Sequence, residues 1–169
     1  MNWFVTAESD VSSIEFSRKM KDMMRKSSFF LNLFKKYNVP IDAIDDHLSF
    51  KIKKINGRHA QSNSKEIILN SKLFENDDFF ENHVHFVIHE LIHWLTRQRE
   101  KKYYFSDPEE IESFTLGMIY ELDRGRNKKQ IYKTFFPIIN AHFEKRQDAI
   151  HLFNELYENA VKNLDKYTC

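Results

Sequence analysis

The stretch Val84-His85-Phe86-Val87-Ile88-His89-Glu90-Leu91-Ile92-His93-Trp94-Leu95 decides how the chain is read. At about 100° per residue, with His89 at zero, His93 falls near 40° and Glu90 near 100°. Val84, Ile88, Leu91 and Leu95 gather between about 200° and 260°. One stripe of this helix is therefore apolar and faces a core, while the opposite side carries His89, Glu90 and His93. Two histidines four apart on a helix converge on one ion, and the acid beside the first reaches the same place from the flank. There Glu90 can take a proton from a metal-activated water. The pattern predicts a helix over Phe79 to Arg99.

A tetrahedral zinc that keeps one position open needs a third protein ligand. The next helix is expected to start at Asp107-Pro108-Glu109-Glu110, with Asp107 as cap, Pro108 at the first helical position and two acids in the first turn. It should run to about Asp123 and end near Gly125. Projection puts Glu110 and Glu121 on a polar face and Glu112 between Leu116 and Ile119, in the apolar sector. A carboxylate among apolar neighbours is costly unless paired or metal-bound, so Glu112 is the expected third ligand. Glu109, one turn earlier, is placed either to orient a ligand histidine or to bind the ion itself. His85, four before His89, projects to the same side and is expected to be partly exposed, as is His83. Trp94 is read as packing.

His89-Glu90-Leu91-Ile92-His93, with Glu112 on the following helix, resembles the gluzincins, the zinc metallopeptidase class that includes thermolysin. Ser113 stands where that class often has Ala, and nothing after His93 resembles a metzincin extension. The strand-rich stretch before the motif and the short spacing after it are similar to the compact, minimal gluzincins. The likeness covers roughly Leu48 to Asp123. It implies one Zn²⁺ per chain held by His89, His93 and Glu112, with Glu90 as general base and then proton donor in peptide-bond hydrolysis. It also implies a protein or peptide substrate, which could pair with a strand over Lys65 to Asn70. An oxyanion donor is implied too, with Tyr103, Tyr104, Tyr120 and His142 as the candidates.

The rest of the chain frames this core. Val11 to Tyr37 is helical in pattern, with Ser12 or Ser13 as cap and Asn38-Val39-Pro40 as stop. Leu48-Ser49-Phe50-Lys51-Ile52-Lys53 alternates as a half-buried strand does, and Asn56-Gly57 marks a turn. Lys65 to Asn70 is a second strand, and Arg58 to Ser64 is a third short strand or a loop. Lys51, Lys53, Lys54 and Arg58 read as a solvated strand face. Ile131 to Phe143 and Gln147 to Leu164 are further helices, the first of them open to a break at Pro137. The expected architecture is α+β and zincin-like: a small β-sheet packed on the H-E-x-x-H helix, with helices before and after. It forms one domain over 1–169, with an N-terminal helical segment to about 40, a core over 48–123 and a C-terminal helical segment over 128–169.

Composition narrows the function classes. The 169 residues are 41% hydrophobic and 30% charged, a globular balance rather than a disordered one. Three Gly and three Pro argue against a turn-heavy barrel, and the single Cys, Cys169, excludes a disulfide framework. A net charge of +1 disfavours nucleic acid as a partner, although Arg124, Arg126, Lys128 and Lys129 form a basic loop that a nucleic-acid-associated protease could use. No signal peptide and no membrane span are legible, so a cytoplasmic protein is expected. The competing reading is a metal-binding regulatory or interaction module with little or no peptidase activity. Glu90 argues for the enzyme, since a structural zinc site has no need of that acid.

Overall fold

The computed structural model describes residues 4–75, 78–96 and 108–168, with the side chains of 4–11 left out. Among them the chain is mixed α+β, with nine α-helices and one three-stranded sheet. It divides into two compact units, Met1–Gln98 and Arg99–Cys169, so the expected core over 48–123 draws on both.

The first unit opens with α1 (Phe4–Lys26) and α2 (Ser28–Lys36). The pattern predicted one helix from Val11, capped by Ser12 or Ser13. Instead α1 starts earlier, both serines are internal, and the break falls at Ser27, whose extended backbone (φ −92°, ψ 121°) separates two apolar faces. Ser13 is buried, and its hydroxyl accepts the Ile52 N–H at 3.0 Å. After α3 (Ala43–His47) come β1 (Ser49–Lys53), β2 (Ala60–Ser62) and β3 (Glu66–Asn70). The Asn56-Gly57 turn is present, with Gly57 at φ +73°, a backbone conformation that glycine reaches without strain. It makes no hairpin, however. The strand order is β1-β3-β2, with β1 parallel to β3 and β2 antiparallel to it. The Asn70 side chain secures the intervening loop by donating to the carbonyls of Ile55 (2.7 Å) and Arg58 (2.8 Å).

A 3-10 turn (Ser71–Phe74) leads to α4 (Phe79–Asn82), capped by Asp78, and to α5 (Val84–Thr96). The single helix expected over Phe79 to Arg99 is thus split at His83, whose φ of −127° is not helical, and residues 97–99 lie outside the described residues. The split lets Phe79 turn inward. It packs beside Phe16 (ring centres 4.9 Å apart) and stacks on Phe74 (4.6 Å), and Phe16 also meets Phe50 and Phe80. Edge-to-face and offset pairs of this kind add to the burial that holds a core. Met20, Met24, Phe29, Phe30, Leu33, Phe34, Ile67, Leu69 and Ile88 complete it.

The second unit is helical: α6 (Pro108–Asp123), α7 (Lys128–Asn140), α8 (Arg146–Asn163) and α9 (Asp165–Thr168). The expected Asp107 cap lies outside the described residues. Gly125, at φ +80°, closes α6: its N–H reaches Leu122 O (2.9 Å) and the Arg126 N–H reaches Glu121 O (3.0 Å). This is a Schellman end, which needs a residue in the left-handed region. Asn127 and Gln130 form a capping box at the start of α7. Pro137 does not break α7: the helix runs through it to Asn140, and what is lost is the bond its missing N–H would have given the Lys133 carbonyl. Phe114, Phe135, Phe136, Phe153, Leu156 and Ala160 form this unit's core. No helix among the described residues is long and apolar enough to cross a membrane.

Candidate metal centre

Helix α5 sorts its side chains as its period requires. Val84, Val87, Ile88, Leu91, Ile92 and Leu95 are buried, while His89, Glu90 and His93 are half-buried on the other side. The Nε2 atoms of His89 and His93 lie 3.3 Å apart. Two nitrogens bound at about 2.05 Å to a tetrahedral zinc stand about 3.3 Å apart, so these imidazoles are spaced as a pair of zinc ligands would be. Nitrogens this close either share a proton or share a cation.

Strand β2 runs along a single stripe of α5. The His59 ring stacks on Phe86 at 4.8 Å, the Ser62 hydroxyl donates to Glu90 Oε2 at 2.7 Å, and the indole N–H of Trp94 donates to the Ser64 carbonyl at 3.2 Å. Residues 86, 90 and 94 are four apart, so one face of the helix meets successive residues of one extended segment. Trp94, whose ring also lies 6.4 Å from Phe34, packs as expected. Ser62 and His59 were not legible in the sequence as neighbours of the motif, because no local pattern reports which strand a helix face will meet.

Sheet order corrects one expectation. The strand over Lys65 to Asn70 cannot receive an extended segment, because β3 is the middle strand and both its edges are paired. Among the described residues β1 and β2 are the outer strands, and β2 is the one that lies along α5. Asn70 N–H bonds His59 O, Asn63 N–H bonds Glu66 O, and Gln61 stands opposite Ile68, so alternation turns the peptide groups of Ala60 and Ser62 away from β3. Lys51 of the expected basic strand face is paired with Glu66 at 2.6 Å, a bond that holds the Glu66 carboxyl below its usual range.

In the second unit, α6 lacks the polar face that projection assigned it. Glu109 (7% exposed), Glu110 (7%) and Glu121 (5%) are buried, as are Ser113 and Gly117, whereas Glu112 is half-buried. A local period cannot register that a helix is covered on several sides. Glu121 meets Arg124 and Arg126 of the following turn, each at 3.6 Å. Arg124 also covers the Tyr120 ring, and Lys128 lies 4.9 Å from the centre of Tyr157. Three cations of the basic loop are thus engaged within their own unit. Of the oxyanion candidates, Tyr120 is buried on α6, His142 is exposed beyond α7, and Tyr103 and Tyr104 lie outside the described residues. His89 and His93 of the first unit are two donors that could hold a metal ion; Glu110 and Glu112, the latter expected as a third ligand, both belong to α6 of the second unit. Positions 110 and 112 point about 200° apart on a helix, so a site that takes one does not take the other.

His85 is buried rather than partly exposed, with the Phe86 ring 4.2 Å and the His83 ring 6.5 Å away. Burial, and then the neighbouring His83, His89 and His59, push its pKa down from 6.5 to about 3. The unfolded chain takes up this proton at a higher pH than the folded one, so acid favours unfolding. The cost is absent above pH 6.5 and grows as the pH falls towards 3. Between pH 7.5 and pH 5 the metal-free protein should lose about 2 kcal/mol more stability than a His85→Gln variant. Urea unfolding at the two pH values measures this, and equal losses would contradict it.

Comparison with protein-family models, with curated proteins and with solved structures finds no match for this chain.

Proposed function

We infer that the protein is a zinc-dependent metallopeptidase of zincin-like architecture, acting on protein or peptide substrates. The observation that carries this reading is the His89–His93 pair at 3.3 Å, with the Glu90 carboxylate held beside it by Ser62. The donor chemistry suits zinc, since two imidazoles and one carboxylate leave a fourth position open. The third ligand in this reading is a carboxylate of α6, Glu110 or the Glu112 expected from the sequence.

A bound zinc ion supplies Lewis acidity, lowering the pKa of water and polarising a peptide carbonyl. His89 and His93 would hold it through their imidazole nitrogens. Glu90 accepts the proton of the attacking water at its carboxylate and passes it to the leaving amine. The outward peptide groups of Ala60 and Ser62 offer an extended substrate the main-chain bonds of an added strand.

The test is elemental analysis of dialysed protein beside two variants. Wild type should carry about one zinc per chain, and whichever of Glu110→Gln and Glu112→Gln loses most of it names the third ligand. Failure of wild type to take up zinc on reloading would overturn the metallopeptidase reading.

A further inference from the structure

We propose that Ser62 is the positioning residue for Glu90, selecting which carboxylate oxygen exchanges the proton; this rests on the peptidase reading above. The hydroxyl lies 2.7 Å from Glu90 Oε2, within the range of a charge-assisted bond, and both residues are half-buried. A serine hydroxyl has a single proton, and here it is given to Oε2. Oε1 is then the oxygen left to receive a proton from water. When Oε1 is protonated, Oε2 still accepts from Ser62, so the carboxyl keeps its orientation through both transfers. Without that bond a glutamate side chain samples several rotamers, and a general base off its line of approach loses rate rather than affinity.

The backbone makes the arrangement more pointed. The peptide groups of Ser62 face the outer edge of the sheet, while its side chain faces α5. An extended segment added at that edge would bond the same residue that aims the base. Docking and proton transfer therefore meet at one position, three residues beyond the ring of His59 that anchors the strand on Phe86.

The experiment compares zinc-loaded wild type, Ser62→Ala and Ser62→Thr on a quenched-fluorescent pool of mixed-sequence peptides, with kinetics on one cleaved member. Ser62→Ala should keep its zinc, change KM by less than about twofold and lower kcat by about tenfold or more, the worth of one hydrogen bond to a charged group. Ser62→Thr, which keeps the hydroxyl, should restore most of kcat. In the Glu90→Gln background Ser62→Ala should cost nothing further. A second readout needs no activity: in urea unfolding of the metal-free protein, Ser62→Ala and Glu90→Ala should be non-additive by about fivefold in the unfolding constant. Undiminished kcat in Ser62→Ala, a loss of kcat that accompanies loss of zinc, or strict additivity would each overturn the proposal. Zinc-loaded wild type that cleaves no peptide would overturn the peptidase reading, and this proposal with it.

Discussion

Glu90→Gln should retain one zinc per chain and lose peptide cleavage by on the order of a thousandfold, within the range that general bases contribute. The substitution is nearly isosteric. Its amide oxygen can still accept from Ser62, so the side chain stays where the carboxylate was. What disappears is the capacity to take a proton. Neither His89 nor His93 can substitute, because each would give an imidazole nitrogen to the ion in the proposed centre. Zinc content and turnover measured on the same preparation separate the two readings of the protein. Turnover lost with zinc kept assigns Glu90 to the chemistry. If a cellular function survives the substitution, the chain acts as a metal-binding interaction module instead.

Removing the ion should also weaken the fold. A ligand that binds only the folded state stabilises it by about 4 kcal/mol when present at a thousandfold excess over its Kd. Chelation of zinc-saturated protein should lower the thermal midpoint accordingly, and returning zinc should restore it. In His93→Ala the midpoint should respond little to zinc, because one imidazole and one carboxylate form a much poorer site. Scanning calorimetry with and without zinc, on wild type and variant, reads both effects. A wild-type midpoint indifferent to zinc would mean that the two imidazoles share a proton rather than a cation.

The residues that were legible are those whose roles are set by their own helix. The segregation of α5 into a buried apolar stripe and a His-Glu-His side follows from a period of 3.6, which no neighbour can alter. Strands β1 and β3 were legible from alternation and from β-branched residues, and the end of α6 from Gly125. Contacts between elements were not. Nothing local in Arg58 to Ser64 says that it forms the outer strand, or that Ser62 will meet Glu90 28 residues on. The acids of α6 show the same limit. Projection ranks Glu110 as solvent-facing because its immediate neighbours are polar, yet it is buried. Ser13 looked like a cap because serine often is one; its hydroxyl instead answers an N–H at the edge of a strand 39 residues away.

That last bond has a bearing on how the chain comes together during synthesis. The outer edge of β1 would otherwise display a free N–H at Ile52, next to the buried Phe50, and bare edges of this kind invite pairing with other chains. The segment that answers it, α1, precedes β1 in the chain and so leaves the ribosome first. The strand is never made before the segment that covers its edge, and β2 emerges after both.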